Sequence, residues 1–172
     1  MSNLHTRQIV SVLALVAALV VSSGSASHAD VVRDGRIGSA GPGAVATEVG
    51  GDGGIRHLIR ESDGERAGQN LFHSFSRMDI TSNETAVYQG DSGIRNLVTT
   101  ITGGRSSIDG KIESEIAGAN LFLVNPDGVV FGENATVDLS GALVVSTADR
   151  LIFSNGDEME TGGSAPPSIL SV

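Results

Sequence analysis

The chain has 172 residues, enough for one domain with a core of its own. It carries 23 glycines, no cysteine and no tryptophan, and 11 Lys and Arg against 20 Asp and Glu leave a net charge of −9. That balance excludes the basic footprint a nucleic-acid partner requires and works against an anionic membrane surface, while the missing thiols exclude a disulfide framework and a thiolate metal centre.

The N-terminus reads as a secretory signal peptide over residues 1–29. Arg7 and His5 open it, Ile9 to Val21 is apolar but for Ser11, and Ser22 to Ala29 is small and polar. Cleavage is expected between Ala29 and Asp30, with entry through the Sec machinery. A membrane anchor is the alternative, but spanning takes about 20 apolar residues and this run is shorter. The absent cysteines fit either a core that suffices unaided or a chain that must cross a second membrane unfolded.

Asp30 to Gly54 is Gly-rich and reads as one or two capping strands, with Ala44 to Val49 as a candidate. An internal repeat starts at Gly51. GDGGIRHLI (51–59) returns as GDSGIRNLV (90–98), and AGQNLF (67–72) returns as AGANLF (117–122). Offsets of 39 and 50 residues imply extra residues in the second copy, within Thr99 to Gly110. The larger offset suits two windings of a solenoid with roughly 20–30 residues each.

The stretch Asn120 to Gly132 reads as a corner between two buried strands. Leu121 to Val124 and Val129 to Phe131 are the apolar runs. Asn125-Pro126-Asp127-Gly128 supplies the turn: Pro126 pre-sets φ, Asn125 and Asp127 bond nearby backbone, and Gly128 takes positive φ. Further short runs follow at 135–139, 142–146 and 151–153, separated by turn residues. A sandwich or barrel would accommodate them, but unalternated apolar strands joined by single corners favour a right-handed parallel β-helix. Ala165 to Val172 breaks and starts a fresh apolar strand. The expectation is the front of a longer protein or a truncated frame, against a tail that folds back as a cap.

Enzyme signatures fail residue by residue. Gly104 to Lys111 imitates a phosphate loop, but five residues separate its glycines and Ile112 stands where Ser or Thr must hold magnesium. His73 and Ser74 are adjacent, so on a strand they face opposite ways and the histidine cannot activate the hydroxyl. A structural histidine that ends a strand or bonds a corner is the better reading. His57 and His73 lack metal-ligand spacing. Asp109, Glu113 and Glu115 share parity and would suit a polysaccharide-cleaving acid and base only if they converged. Solvated outer-face charge is preferred. No cofactor, metal or small-molecule substrate is expected.

At NLFHSF (70–75), ITGG (101–104) and ANLFLVNPDGVVFGENATVDLSGALVVSTAD (119–149), the sequence resembles the N-terminal secretion (TPS) domain of filamentous-haemagglutinin-type exoproteins in Gram-negative bacteria. The resemblance covers roughly Asp34 to Val172. It implies a right-handed parallel β-helix with N-terminal capping strands and extra-helical hairpins, and recognition rather than catalysis. The family's N-P-N-G-I motif falls on Asn125, Pro126, Asp127, Gly128 and Val129, with Asp for the second Asn and Val for Ile. Its N-P-N-L motif has no counterpart. The implied partner is an outer-membrane TpsB-type pore protein with periplasmic POTRA domains. Residues expected to carry recognition are Asn125, Pro126, Asp127, Gly128 and Val129, with Asn70, Leu71, Phe72, His73, Ser74 and Phe75. The implied location is periplasmic in transit, then the cell surface or medium. An adhesin module in its own right and a β-helix polysaccharide-degrading enzyme are the alternatives.

Overall fold

The computed structural model describes residues 31–154 and 156–163. The expected signal peptide with its Ala29–Asp30 cleavage point, and the apolar strand expected near the C-terminus, lie outside these residues.

Short apolar runs between Gly, Asn and Asp corners wind into a parallel β-solenoid of about four turns. Three strands precede it: β1 (Val31–Arg33), β2 (Gly43–Ala44) and β3 (Ala46–Val49). The first coil holds β4 (Ile55–Arg60), a 3₁₀ turn at Glu61–Asp63, β5 (Glu65–Ala67) and β6 (Asn70–Met78). The second holds β7 (Glu84–Gln89) and β8 (Asn96–Ile101), with Ile80 as a single bridge on the third face. The third is β9 (Ser106–Ile108), β10 (Lys111–Ser114) and β11 (Asn120–Val124). The fourth is β12 (Val129–Phe131), β13 (Thr136–Asp138) and β14 (Leu143–Ser146). A hairpin of β15 (Arg150–Ile152) and β16 (Glu158–Glu160) then leaves the coil.

Each face is a parallel ladder: β6-β8-β11-β14, β4-β7-β10-β13, and β9-β12. Because register is kept, like residues stack. Leu71, Leu97, Leu121 and Leu143 form one interior column, and His57, Ala86, Ile112 and Val137 another. Asn70, Asn96 and Asn120 stack at the mouth of the first face, 26 and 24 residues apart, each amide bonding the next. The 50-residue offset is therefore two windings, as the sequence suggests.

The other half of the repeat reading is corrected. The 51–59 segment enters β4 on one face, whereas 90–98 enters β8 on another, and Thr99 to Gly110 is ordinary coil rather than insertion. What recurs is turn chemistry. Asp52 accepts from the Gly54 amide at 3.0 Å and Asp91 from the Gly93 amide at 2.8 Å, so the same Asx turn launches two different strands.

The N-terminal edge is covered by antiparallel additions. β5 and β1 line β6, and β3 lines β4, which removes an exposed edge. At the other end, Phe131 and Val137 of the fourth coil are 40% and 44% exposed, because among the described residues no coil stacks on them. Hence the corner at Asn125 joins a buried strand to an exposed one, and the expectation of two buried strands is corrected. The run at 151–153 is likewise a hairpin arm rather than a rung.

That hairpin closes a second core outside the solenoid. Phe72, Val98 and Phe122 stack along the outer side of the first face, and Leu151, Phe153, Met159 and Ile37 cover them. Phe72 and Phe153 meet edge to face at 6.2 Å.

Candidate functional site

The Asn125 corner is built as its sequence requires. The Gly128 amide donates to the Asn125 carbonyl at 2.9 Å, closing a β-turn with Pro126 second and Gly128 at φ 98°. The Asn125 side chain is fully buried. Its Oδ1 accepts from the Asp127 amide at 3.0 Å, and its Nδ2 donates to the Gly104 carbonyl at 2.9 Å and the Ser106 hydroxyl at 3.0 Å. The Asp127 carboxylate accepts from the Gly104 amide at 3.2 Å. One asparagine thus ties the third-coil corner to the start of β9, while Pro126 and Asp127 remain exposed and Val129 packs on the core.

NLFHSF occupies the first six positions of β6, and all six side chains are buried. Leu71 and Phe75 enter the solenoid core and Phe72 the outer one. His73 points inward, its ring stacked on Phe75 and edge-on to Tyr88, both at 5.9 Å. Its Nε2–H donates to the Arg60 carbonyl at 3.0 Å. Burial pushes its pKa down to about 4, so the ring is neutral. It sits mid-strand and bonds a corner. It does not end the strand. That same corner is held by Asp63, which accepts from the Arg60 amide and pairs with Arg33. Tyr88 meets Thr99 at 3.0 Å, and burial raises its pKa.

Ser74 points the other way. Its hydroxyl donates to Asp34 at 2.7 Å, as does that of Thr102 at 3.0 Å, so Asp34 latches the N-terminal segment onto two coils. His73 and Ser74 face opposite sides of the strand, which rules out a nucleophile–base pair. The acidic candidates do not assemble as a free acid and base either: Glu113 and Glu115 meet only across the Arg56 guanidinium that pairs with both, and Asp109 lies apart from them. Asp109 holds the Asn134 turn, Glu113 pairs with Lys111 and Arg56, and Glu115 with Arg56 and Gln89. Arg105 and Lys111 fall on different faces, split by the β9–β10 corner.

Three features escape the sequence reading: the Asp34 latch, the central Asn96 of the asparagine stack and the position of the hairpin, which the resemblance implies without placing it. The Asn-Leu dipeptide at 70, 96 and 120 is the signal for the stack, and Asn155-Gly156 is a hairpin signal.

A stacked-coil domain whose motif residues build corners and core, with no assembled acid–base or nucleophile pair among the described residues, belongs to the class of β-solenoid scaffolds. The profile of the TPS secretion domain matches residues 45–171, and the chain belongs to that family. The family is a secretion-signal domain not known as enzymatic, and it implies an exoprotein of two-partner secretion with a TpsB transporter as the second partner. No curated protein and no solved structure matches the chain.

Proposed function

We infer that the domain is the signal by which an outer-membrane pore protein, through periplasmic POTRA domains, selects a surface or secreted adhesin-like exoprotein for export. The observation that carries this reading is the family match over residues 45–171 on a domain whose motif residues do structural rather than chemical work. Residues 1–29 act as a Sec-dependent signal peptide cut before Asp30, and Asp30 onward transits the periplasm to the surface or medium.

Burial determines how the motifs act. In the folded domain Asn125 and Asn70 to Phe75 are interior, so their side chains meet a partner only while the chain is extended. Pro126 and Asp127 are exposed after folding as well. Edge addition to an extended chain suits that sequence of events. Closure of the coils outside the cell then hides the motifs and favours forward movement. The test is to express the full chain in a Gram-negative host with and without its two-partner transporter. Accumulation in the medium only with the transporter is expected. Equal release in both hosts overturns the reading.

A further inference from the structure

Four residues near the N-terminus, Asp34 to Ile37, are fastened to places far along the chain. Asp34 accepts from the hydroxyls of Ser74 in the first coil and Thr102 at the end of the second, and its amide donates to the Ser74 carbonyl at 3.2 Å. Arg36 bridges from there to the hairpin. Its amide donates to the Asp34 carboxylate at 2.9 Å, and its Nε lies 3.5 Å from the same carboxylate. Its Nη1 donates to the Gly162 carbonyl, 126 residues away. Ile37, 3% exposed, then enters the outer core between the coils and the hairpin.

The end of the hairpin is shaped to meet this segment. The Gly163 amide donates to the Glu160 carbonyl at 2.9 Å, closing a β-turn with Gly162 at φ 93°. A Cβ at Gly162 would stand 3.4 Å from Thr102 and 3.5 Å from the Arg36 guanidinium, so glycine serves both the turn and the close approach. The outer core has four buried members: Phe72 and Val98 from the coils, Ile37 from the N-terminal segment and Met159 from the hairpin. Without either of the last two, the cluster loses one of its covers. Neither piece is held to the coils by a ladder. Among the described residues β15 pairs with β16 alone, and Asp34 to Ile37 form no strand. Segments with few ladder bonds open at lower free energy than core strands.

We propose that Asp34–Ile37 and the β15–β16 hairpin are the two halves of a clasp, a cooperative unit that opens while the coils stay stacked and closes only when both halves are present. The clasp sets an order on folding. The segment nearest the N-terminus stays loose until the chain through Gly162 is available, so a chain that has stacked its four coils still presents it. All of these contacts lie within the chain, so the clasp is independent of the export reading.

Native-state amide exchange of the mature chain tests this. The Asp34 and Arg36 amides report on one half, the Phe153 and Thr161 amides on the other, and the amides of β8 and β11 on the coils. Met159→Ser should speed exchange at Asp34 and Arg36 by about tenfold, and Ile37→Ser should do the same at Phe153 and Thr161, while β8 and β11 keep their rates. Arg36→Ala deletes the bond to Gly162 from a half-exposed side chain, which leaves the coils folded, and should speed exchange in both halves by about threefold. Faster exchange confined to the half that carries the substitution overturns the inference. An equal rise in β8 and β11 overturns it too, since the clasp is then no unit of its own. In refolding followed by pulsed exchange, β8 and β11 gain protection first and the two halves gain it together. Protection of Asp34 and Arg36 ahead of Phe153 and Thr161 overturns the proposed order.

Discussion

Asn125→Ala is the sharpest probe of the corner. The substitution deletes three hydrogen bonds, to the Gly104 carbonyl, the Ser106 hydroxyl and the Asp127 amide. Gly104 and Asp127 are exposed and regain water, so each costs at most about 0.5–1.5 kcal/mol. Ser106 is buried, and its stranded hydroxyl costs about 1–3 kcal/mol. Together these span about 2–6 kcal/mol, and rehydration of Gly104 and Asp127 places the loss toward the lower end, at about 3 kcal/mol. With a urea slope of about 2 kcal/mol per molar for a domain of this size, the midpoint falls by about 1.5 M. Equilibrium unfolding of the mature chain, followed by far-ultraviolet circular dichroism, measures it. A fall of less than about 0.3 M refutes the assignment of Asn125 as the tie between the third-coil corner and β9.

Other perturbations separate core from surface. His73 has a pKa of about 4 in the fold against 6.5 for an ordinary histidine. Its contribution is therefore complete above pH 6.5 and lost as the pH falls toward 4, a total of about 3 kcal/mol. Unfolding at pH 7 and at pH 4.5 checks this, and His73→Phe should remove that part of the slope. Leu121→Ala opens a hole in the middle of the leucine column and should cost about 2–5 kcal/mol in the same assay. Glu113→Gln on the outer face should cost less than about 1 kcal/mol, since its partners Lys111 and Arg56 stay solvated and keep other carboxylates.

Much of the third and fourth coils was legible because each apolar run sits between residues with turn chemistry. β11, β12, β13 and β14 fall within about one residue of the runs at 121–124, 129–131, 135–139 and 142–146. Strand parity also placed His73 and Ser74 on opposite sides of their strand. Position in the stack is not a local property. Phe131 looks as apolar as Leu121 to Val124 and continues the inward column of Ile108, yet it is exposed because it lies in the fourth coil, whereas Val130 faces outward like its partner Ser107. The repeat misled at 51–59 and 90–98, since an Asx turn has a strong sequence signature that says nothing of which face follows. Asn155-Gly156 is a plain hairpin signal, and a reading of the connections as mostly single corners passes over it, so a hairpin was expected but not placed there. Asp34 bonds Ser74 and Thr102 across 40 and 68 residues, a link no local pattern encodes.

The parallel stacking of coils carries all of this, and the absence of native cysteine makes it directly testable. Ser107 and Val130 are exposed register partners on adjacent coils of the third face. Neighbouring strands lie about 4.8 Å apart, within the span a disulfide bridges. The chain carrying Ser107→Cys and Val130→Cys should form an intrachain disulfide in nearly full yield on mild oxidation. Pairing Ser107→Cys with Val144→Cys, on another face, should give none. A bond in the second variant, or none in the first while the chain remains folded, contradicts the stacked-coil account.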